Sequence, residues 1–176
     1  MWIKYLSITL LFYFFAILQN SFLAHFSIFG EAPNLILILY FLLIFFEEPD
    51  KYHMGIFGAF MGGFFLDIFS HSYLGGSILY LLILMFLVKR ALQLLWKKSG
   101  EFSIFYFLPL FAVYSIFYNI LFNAGLVLLS RSFLNFNVNW TLAIALVYNL
   151  LFAAPSFFIC KKFNLLGNID RQLKLF

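Results

Sequence analysis

Asp67 is the residue in this sequence whose chemistry most needs an explanation. It lies in the glycine-rich apolar stretch from Gly58 to Gly76, and no other acidic residue lies within an apolar run. Moving a carboxylate from water into a bilayer costs about 3 kcal/mol or more, so such residues usually face protein. The next apolar run begins within ten residues, and the free N–H groups at a helix start attract an anion. This position favours a structural tie between two helices, with a binding or proton-relay role as the alternative.

The histidines and the single cysteine offer no recognisable catalytic or metal site. His25, His53 and His71 each lie at the boundary of an apolar run, and the orientation predicted below puts His53 on the opposite side from the other two. One cysteine, Cys160, excludes an intramolecular disulfide and a cysteine metal cluster. Motifs of the GxxxxGK[ST], HExxH and GxSxG types are absent. We therefore expect no enzyme activity, no cofactor and no metal.

Amide side chains in the first and fifth apolar runs are candidates for polar contacts. Gln19 and Asn20 are near the end of the first run, and Asn119 and Asn123 lie four residues apart on one face of the fifth. Amides in membrane helices often bond to a neighbouring helix. We interpret these residues as ties between helices, and a polar pocket that they form with Asp67 is the alternative.

The composition places the chain in a membrane. It has 176 residues, of which 65% are apolar and 10% charged, and the charges cluster between long apolar runs. A soluble fold of this size would need a charged exterior. The length suits one transmembrane domain covering residues 1–176. Met1 to Lys4 leads into an apolar run without an Ala-x-Ala cleavage signal, so we expect a retained first helix.

Six apolar runs predict an all-α bundle of six transmembrane helices. The second to fourth runs are shorter than the ~20 residues that a span needs, and short loops join them into a central block. Pro33 is expected at the first helical position of the second run, and Gly75 and Gly76 open the fourth. The runs are Tyr5 to Ala24, Ala32 to Phe46, Met54 to Phe69, Ser77 to Val88, Phe102 to Ser130 and Trp140 to Cys160.

The third run predicts a helix with one small face and one bulky face. At 100° per residue, small residues fall on one half and bulky residues on the other, although Ile56, Leu66 and Phe69 blur this division. Such a division is typical of a membrane helix that packs closely on a neighbour. The bulky half would then meet lipid or a partner protein. The predicted small face is Gly55, Gly58, Ala59, Gly62, Gly63, Asp67 and Ser70, and the bulky face is Phe57, Phe60, Met61, Phe64, Phe65 and Ile68.

Basic residues predict the orientation. Lysines and arginines accumulate on the cytoplasmic side of membrane proteins. Six spans would put both termini in the cytoplasm, with Arg131 the only basic residue outside. If the second run were a re-entrant hairpin, the amino terminus alone would change sides. The clusters after the fourth and sixth runs are Lys89, Arg90, Lys97 and Lys98, and Lys161, Lys162, Arg171 and Lys174.

Several motifs follow one another in the first half of the chain. A helix opened by Pro-Asn is followed by a loop that contains Pro49. A Gly-x-x-x-Gly helix ending in Leu-Asp comes next, with a further glycine eight residues later. This order and spacing resembles the MreD family, the rod shape-determining membrane proteins of bacteria. The similarity covers roughly residues 17 to 90 and includes the Leu18-Gln19 pair. The structural or interaction candidates are Pro33, Asn34, Gly58, Gly62, Gly63, Asp67 and Gly75.

The resemblance implies a non-enzymatic subunit of the cell-elongation machinery in the bacterial cytoplasmic membrane. Its implied partner is the periplasmic scaffold MreC, and through it the actin-like MreB filaments and the glycan polymerase and transpeptidase that build lateral peptidoglycan. The acidic loop Glu47-Glu48-Pro49-Asp50 differs from the family pattern. No nucleic-acid partner is expected.

Two other classes of protein remain as alternatives. The first is the substrate-binding membrane subunit of an energy-coupling vitamin importer, whose six-helix fold the MreD family is thought to resemble. It would need a polar pocket open to the outside, which Asp67 with Gln19 and Asn20 could line. The second is a small lipid-modifying enzyme, for which Asp67 would be the only acid and would lack a basic, metal or nucleophilic partner.

Overall fold

The computed structural model describes residues 2–28, 30–70, 73–99, 103–130 and 140–163. Within them the chain is helical, with no β-strand and one isolated bridge between Ile28 and Glu31. His71, Arg131, Arg171 and Lys174 lie outside the described residues. The helices are α1 (Trp2–Ser21), a short 3-10 helix (Leu23–Phe26), α2 (Leu35–Phe46), α3 (His53–Phe69), α4 (Gly76–Ser99), α5 (Ile104–Ser130) and α6 (Trp140–Phe163).

Each of the six predicted apolar runs forms a helix. The largest difference is at α4, which continues past Val88 to Ser99 because lysine, arginine, leucine and glutamine are all good helix formers. The expected place of Pro33 was wrong. Helix α2 begins at Leu35, and Asn34 is its N-cap, with a side-chain oxygen that accepts the Leu37 N–H at 2.9 Å. Pro33 therefore precedes the cap.

Helix α2 is the centre of the bundle. All twelve of its residues are buried, and each of the other five α-helices contacts it. A helix that is apolar on every side is expected to be buried. Its Phe41 and Phe45 rings pack edge-on against Phe107 of α5, and Phe41 also meets Phe111. The longer helices thus surround α2 and separate it from lipid.

Ring contacts show that successive helices alternate in direction. Helices α1 and α3 run parallel to each other, and α6 runs parallel to α2. We call the end of the bundle that holds Glu47 the Glu47 end, and the opposite end the Asp67 end. Helix α1 starts and α6 finishes at the Glu47 end. The contacts are Tyr5 with Phe57 and Tyr13 with Phe65 between α1 and α3, Phe46 with Phe157 between α2 and α6, and, nearer the Asp67 end, Asn34 with Asn149.

Four helices are long and apolar enough to cross a membrane. They are α1, α4, α5 and α6, while α2 and α3 have 12 and 17 residues. The outer surface of the bundle is rich in exposed apolar side chains, among them Leu10, Phe60, Phe86 and Leu151. Because such a surface is unfavourable in water, the protein is an all-α, multi-pass membrane protein whose exterior meets lipid.

Candidate functional site

Helix α3 turns its small residues inward, as its sequence pattern predicts. Ser70 departs from the prediction because it is exposed, and Leu66, one of the residues that blur the division, is buried among the small residues. The outward face is the row Ile56, Phe60, Phe64 and Ile68. The buried residues are Gly55, Gly58, Ala59, Gly62, Gly63, Leu66 and Asp67.

The glycines of α3 meet other helices of the same chain. A β-carbon at Gly58 would lie 3.0 Å from the Tyr40 ring of α2, and one at Gly62 would lie 3.1 Å from the Phe12 ring of α1. The closest approach is at Gly63, where a β-carbon would lie 2.6 Å from the backbone nitrogen of Ile78 in α4. These glycines therefore permit the close packing of α1, α2 and α4 on α3. The face that contains Gly58 and Gly62 is covered by other helices of the same chain.

Asp67 caps the start of α4. Its Oδ2 accepts the Gly75 N–H at 2.6 Å, and its Oδ1 accepts the Ser77 N–H at 3.0 Å. The side chain is 1% exposed. Carboxylates stabilise a helix start because they satisfy free N–H groups and face the positive end of the helix dipole. Gly75 has φ +97°, a conformation that favours glycine, and this turn presents the two N–H groups to Asp67.

A polar contact continues from this cap into α5. The Ser77 hydroxyl lies 3.3 Å from the Tyr118 hydroxyl, and both side chains are buried. A small cleft beside them lies between α4 and α5. Its lining is Tyr73, Gly76, Ser77, Tyr80, Phe122, Gly125 and Leu126. The lining contains neither Asp67 nor the α1 amides, so this cleft differs from the predicted polar pocket.

A buried ion pair lies at the other end of α3. Lys89 Nζ is 3.0 Å from Glu47 Oε2, and the two side chains are 0% and 7% exposed. Glu47 also caps α3, because its Oε1 accepts the Met54 N–H at 2.8 Å and its Oε2 accepts the Gly55 N–H at 3.2 Å. The carboxylate therefore joins α4 to the start of α3.

Helix α4 also holds the loop between α2 and α3. Besides the ion pair, Lys89 Nζ donates to the backbone oxygens of Glu47 at 3.3 Å and Glu48 at 2.9 Å. One turn further on, Gln93 Nε2 lies 3.4 Å from the backbone oxygen of Pro49 and from the Tyr52 hydroxyl. An ammonium group has three protons, and the contacts of Lys89 account for all of them.

Sequence reasoning missed the Lys89–Glu47 pair. The sequence places Lys89 in a basic cluster expected on the cytoplasmic side, and Glu47 in an acidic loop. The sequence does contain an indication of this pair. Each of the two residues directly follows an apolar run, and both runs form helices that lie antiparallel to α3. Opposite charges at such positions reach the same level of the bundle. The pairing itself depends on tertiary packing.

Asn149 of α6 is the second residue that sequence reasoning missed. Its Oδ1 accepts the Asn34 N–H at 2.7 Å, and its Nδ2 lies 3.4 Å from the Ser115 hydroxyl of α5. The side chain is 3% exposed. The neighbouring Tyr148 donates to the backbone oxygen of Phe26 at 3.0 Å. Two consecutive residues of α6 therefore fasten the segment between α1 and α2.

The amides expected to tie helices together mostly bond within their own helices. Asn20 donates to the Ala16 oxygen, Asn119 to the Ser115 oxygen and Asn123 to the Asn119 oxygen, each four residues back. The interhelical interpretation was therefore wrong for these three. An asparagine that faces away from a neighbouring polar group returns to the carbonyl of the preceding turn.

The predicted polar pocket is not assembled from these residues. Gln19 and Asn20 belong to α1, where the Asn20 side chain bonds to the Ala16 oxygen of its own helix. Asp67 instead faces the start of α4. The three members of the predicted pocket are therefore divided between different contacts.

The same kind of helix cap recurs in the central block, which consists of α2, α3 and α4. The starts of α2, α3 and α4 are capped by Asn34, Glu47 and Asp67, and Asn149 adds a bond at the first of them. Each cap is a polar side chain at a helix start, where free N–H groups need an acceptor. This arrangement can hold α2, α3 and α4 in a fixed relation, and both of its acidic groups act as helix caps.

Comparison with known proteins found no matching family, no matching curated protein and no matching solved structure.

Proposed function

We propose that this chain is a non-enzymatic membrane subunit of the bacterial cell-elongation complex, similar to MreD. In this proposal it binds an MreC-like periplasmic scaffold. Through that scaffold it supports MreB-like filaments and the polymerase and transpeptidase of lateral peptidoglycan synthesis. The observation that carries the proposal is that residues of the family-like motif cap and pack the central block. Asn34 and Asp67 supply caps, while Gly58 and Gly62 supply close packing.

The chemistry of the buried acids supports a binding role over catalysis. Glu47 accepts two backbone N–H groups and pairs with Lys89, and Asp67 accepts two backbone N–H groups. A general acid or base must exchange a proton with a substrate that it can reach. Carboxylates fixed as helix caps serve structure instead, and a rigid bundle can present a constant surface to another membrane protein.

We further propose six membrane-crossing segments with both termini in the cytoplasm, so that the Glu47 end is cytoplasmic. The alternating directions of the helices support this arrangement, because α1 starts and α6 finishes at the same end. Exposed basic residues at that end agree with the excess of positive charge on the cytoplasmic side. They are Lys4, Lys51, Arg90, Lys161 and Lys162.

In this proposal the partner binds outside the Gly58–Gly62 face. Those glycines are covered by α1 and α2, so α3 belongs to the core that supports the contact. The contact surface is then drawn from the exposed apolar faces of the surrounding helices or from the loops at the Asp67 end. That end would face the periplasm, where an MreC-like scaffold has most of its mass.

Co-purification tests the proposal. A tagged copy of the chain is expressed in a rod-shaped bacterium depleted of its own MreD-like protein, and membranes are solubilised in mild detergent. We expect restoration of rod shape and recovery of an MreC-like scaffold with the tag. Recovery of a transporter ATPase together with vitamin uptake would favour the importer alternative instead. Failure of both shape rescue and scaffold recovery, with normal protein levels, would refute the proposed function.

Cysteine labelling tests the orientation. In a Cys160→Ser background, Ser99→Cys should react with a membrane-impermeant maleimide only after the cells are opened, and Ser7→Cys should not react in intact cells. Labelling of Ser7→Cys in intact cells would overturn the position of α1. Labelling of Ser99→Cys in intact cells would overturn the whole arrangement.

A further inference from the structure

Polar side chains tie helices α2 to α6 to one another. Lys89 of α4 pairs with Glu47, which lies at the end of α2 and caps α3. Asn149 of α6 bonds to Asn34 at the start of α2 and to Ser115 of α5. Such bonds matter in a membrane because lipid gives apolar helices little reason to associate, so polar contacts and close packing hold them together. Helices α2 to α6 therefore form one connected unit.

Helix α1 is held in a different way. Among the described residues, its side-chain hydrogen bonds go to its own backbone, from Ser7 to the Ile3 oxygen, from Thr9 to the Tyr5 oxygen and from Asn20 to the Ala16 oxygen. Gln19 Oε1 is buried but has no hydrogen-bond partner in the described part of the chain, so this amide does not tie α1 to a neighbour either. Helix α1 therefore depends on apolar packing.

The apolar packing of α1 is limited. Three of its twenty residues are buried, namely Ile8, Phe12 and Ala16. The Phe12 ring lies against α3, where a β-carbon at Gly62 would be 3.1 Å from it. Two ring contacts with α3 complete the described set, Tyr5 with Phe57 and Tyr13 with Phe65.

The surfaces beneath α1 are suited to lipid. Helix α2 is apolar on every side, so the side that faces α1 can meet lipid as well as protein. On α3, the residues in contact with α1 are Phe57, Gly62 and Phe65, which are apolar, whereas Asp67 bonds to the start of α4. Separating α1 from these surfaces therefore costs packing contacts and breaks no described polar bond.

The two ends of α1 are fastened unequally. At the Asp67 end α1 passes into the 3-10 helix, where Leu23 is buried and Tyr148 of α6 donates to the Phe26 oxygen at 3.0 Å. At the Glu47 end Trp2 and Ile3 are 89% and 80% exposed. Residues at the end of an element often serve as hinges. The Asp67 end of α1 can therefore act as a pivot, and its Glu47 end is free to move.

We propose that α1 is a hinged lid, which swings away from α2 and α3 at the Glu47 end while α2 to α6 stay assembled. The pivot is the junction of α1 and the 3-10 helix at Ser21 and Phe22. The movement uncovers Gly62 and one side of α2 within the membrane. Elements with few buried contacts are the ones that open first. This inference rests on the fold and is independent of the proposed function.

The test measures distances in the full-length Cys160→Ser protein in lipid nanodiscs. Nitroxide labels are attached to Ser7→Cys, near the free end of α1, and to Leu87→Cys of α4, and both positions are exposed. Double electron–electron resonance gives the distribution of distances between the labels. We expect two populations, one at the closed distance and one longer. A single population, as narrow as that of a pair within α2 to α6, would overturn the proposal.

Two further label pairs locate the movement. Ile159→Cys of α6 with Leu87→Cys lies at the same end of the bundle but within the α2 to α6 unit, and it should give one population. Asn20→Cys with Leu79→Cys lies at the pivot end and should also give one population. These positions are exposed. A longer population in the first pair would show that the whole bundle loosens, and one in the second that α1 leaves entirely. Either result would overturn the hinged lid.

A matched pair of variants identifies the contact that closes the lid. Phe12→Ala removes the ring that packs on Gly62, so the longer population of the Ser7 and Leu87 label pair should rise several-fold. The control is Phe14→Ala, whose side chain is 56% exposed, and it should leave the populations unchanged. An unaltered distance for the Ile159 and Leu87 label pair verifies that each variant keeps its fold. Equal populations in the two variants would show that packing on α3 does not close the lid and would contradict the proposal.

Discussion

Lys89 Nζ and Glu47 Oε2 lie 3.0 Å apart at a site where both side chains are shielded from the surroundings. The pair joins α4 to the start of α3, and the same ammonium group holds the loop between α2 and α3. Three helices thus depend on one cation. Removing one partner of a buried ion pair leaves the other charge uncompensated, which is far more costly than losing an exposed pair.

Lys89→Met should lower the free energy of unfolding by about 3–5 kcal/mol, because Glu47 would remain buried without its cation. Thermal unfolding in detergent measures this effect. Arg90→Met, which removes an exposed neighbouring charge, is the control and should change the midpoint little. Adding Glu47→Gln to Lys89→Met should recover part of the loss. Equal midpoints for Lys89→Met and Arg90→Met would contradict the role of the pair.

Asp67 should tolerate asparagine better than leucine. Asp67→Asn retains a side-chain oxygen that can accept one N–H group at the start of α4, whereas Asp67→Leu leaves both the Gly75 and Ser77 donors without this acceptor. A buried donor without a partner costs about 1–3 kcal/mol. Protein levels in the membrane should therefore fall more with leucine. Normal levels of both variants, together with lost function, would instead indicate a binding or relay role.

The α3 glycines should differ in their sensitivity to alanine. Gly63→Ala places a β-carbon 2.6 Å from the backbone of Ile78, which cannot move aside as a side-chain tip can, so it should be the most destabilising. Gly62→Ala meets the Phe12 ring at 3.1 Å and should cost less. Gly76→Ala is the control, because its nearest neighbour, at 3.7 Å, is an ordinary contact. Membrane protein levels should rank in this order, and a Gly63→Ala protein as abundant as the control would refute the close approach.

Leucine at both Gly58 and Gly62 should deplete the protein from the membrane. The new side chains would collide with Tyr40 and Phe12 inside the bundle. Overpacking of a tight interior destabilises the fold. If the double mutant is abundant but no longer recovers the MreC-like scaffold, this expectation is contradicted, because the result would place the partner on this face.

Asn149 should matter more than Asn119, although sequence reasoning singled out only Asn119. Asn149→Ala removes the bonds to Asn34 and Ser115 on two other helices, at a cost of about 1–2 kcal/mol. Asn119→Ala removes a bond within α5 and should cost less. The thermal midpoints of the two variants in detergent provide the comparison, and the reverse order would show that the tie is unimportant.

Properties that depend on local order along the chain were predictable from the sequence. The six helices, the inward small face of α3 and the cap beside Gly75 follow from apolar run length, helical periodicity and turn residues. Each of these depends on neighbours within a few turns. The identity of α2 as the central helix was not predictable in this way, because twelve successive apolar residues give no preferred face.

Tertiary structure alone decided which polar groups meet. Asn119, Asn123 and Asn149 are chemically identical, yet only Asn149 points at another helix, because the rotation and height of α6 place it beside Asn34. Lys89 and Arg90 are both basic residues at the end of an apolar run. The helix rotates by about 100° from one residue to the next, so Lys89 is buried and Arg90 is exposed. Composition determined the membrane class and the helices. The packing angles of those helices determined which charges and amides became internal ties.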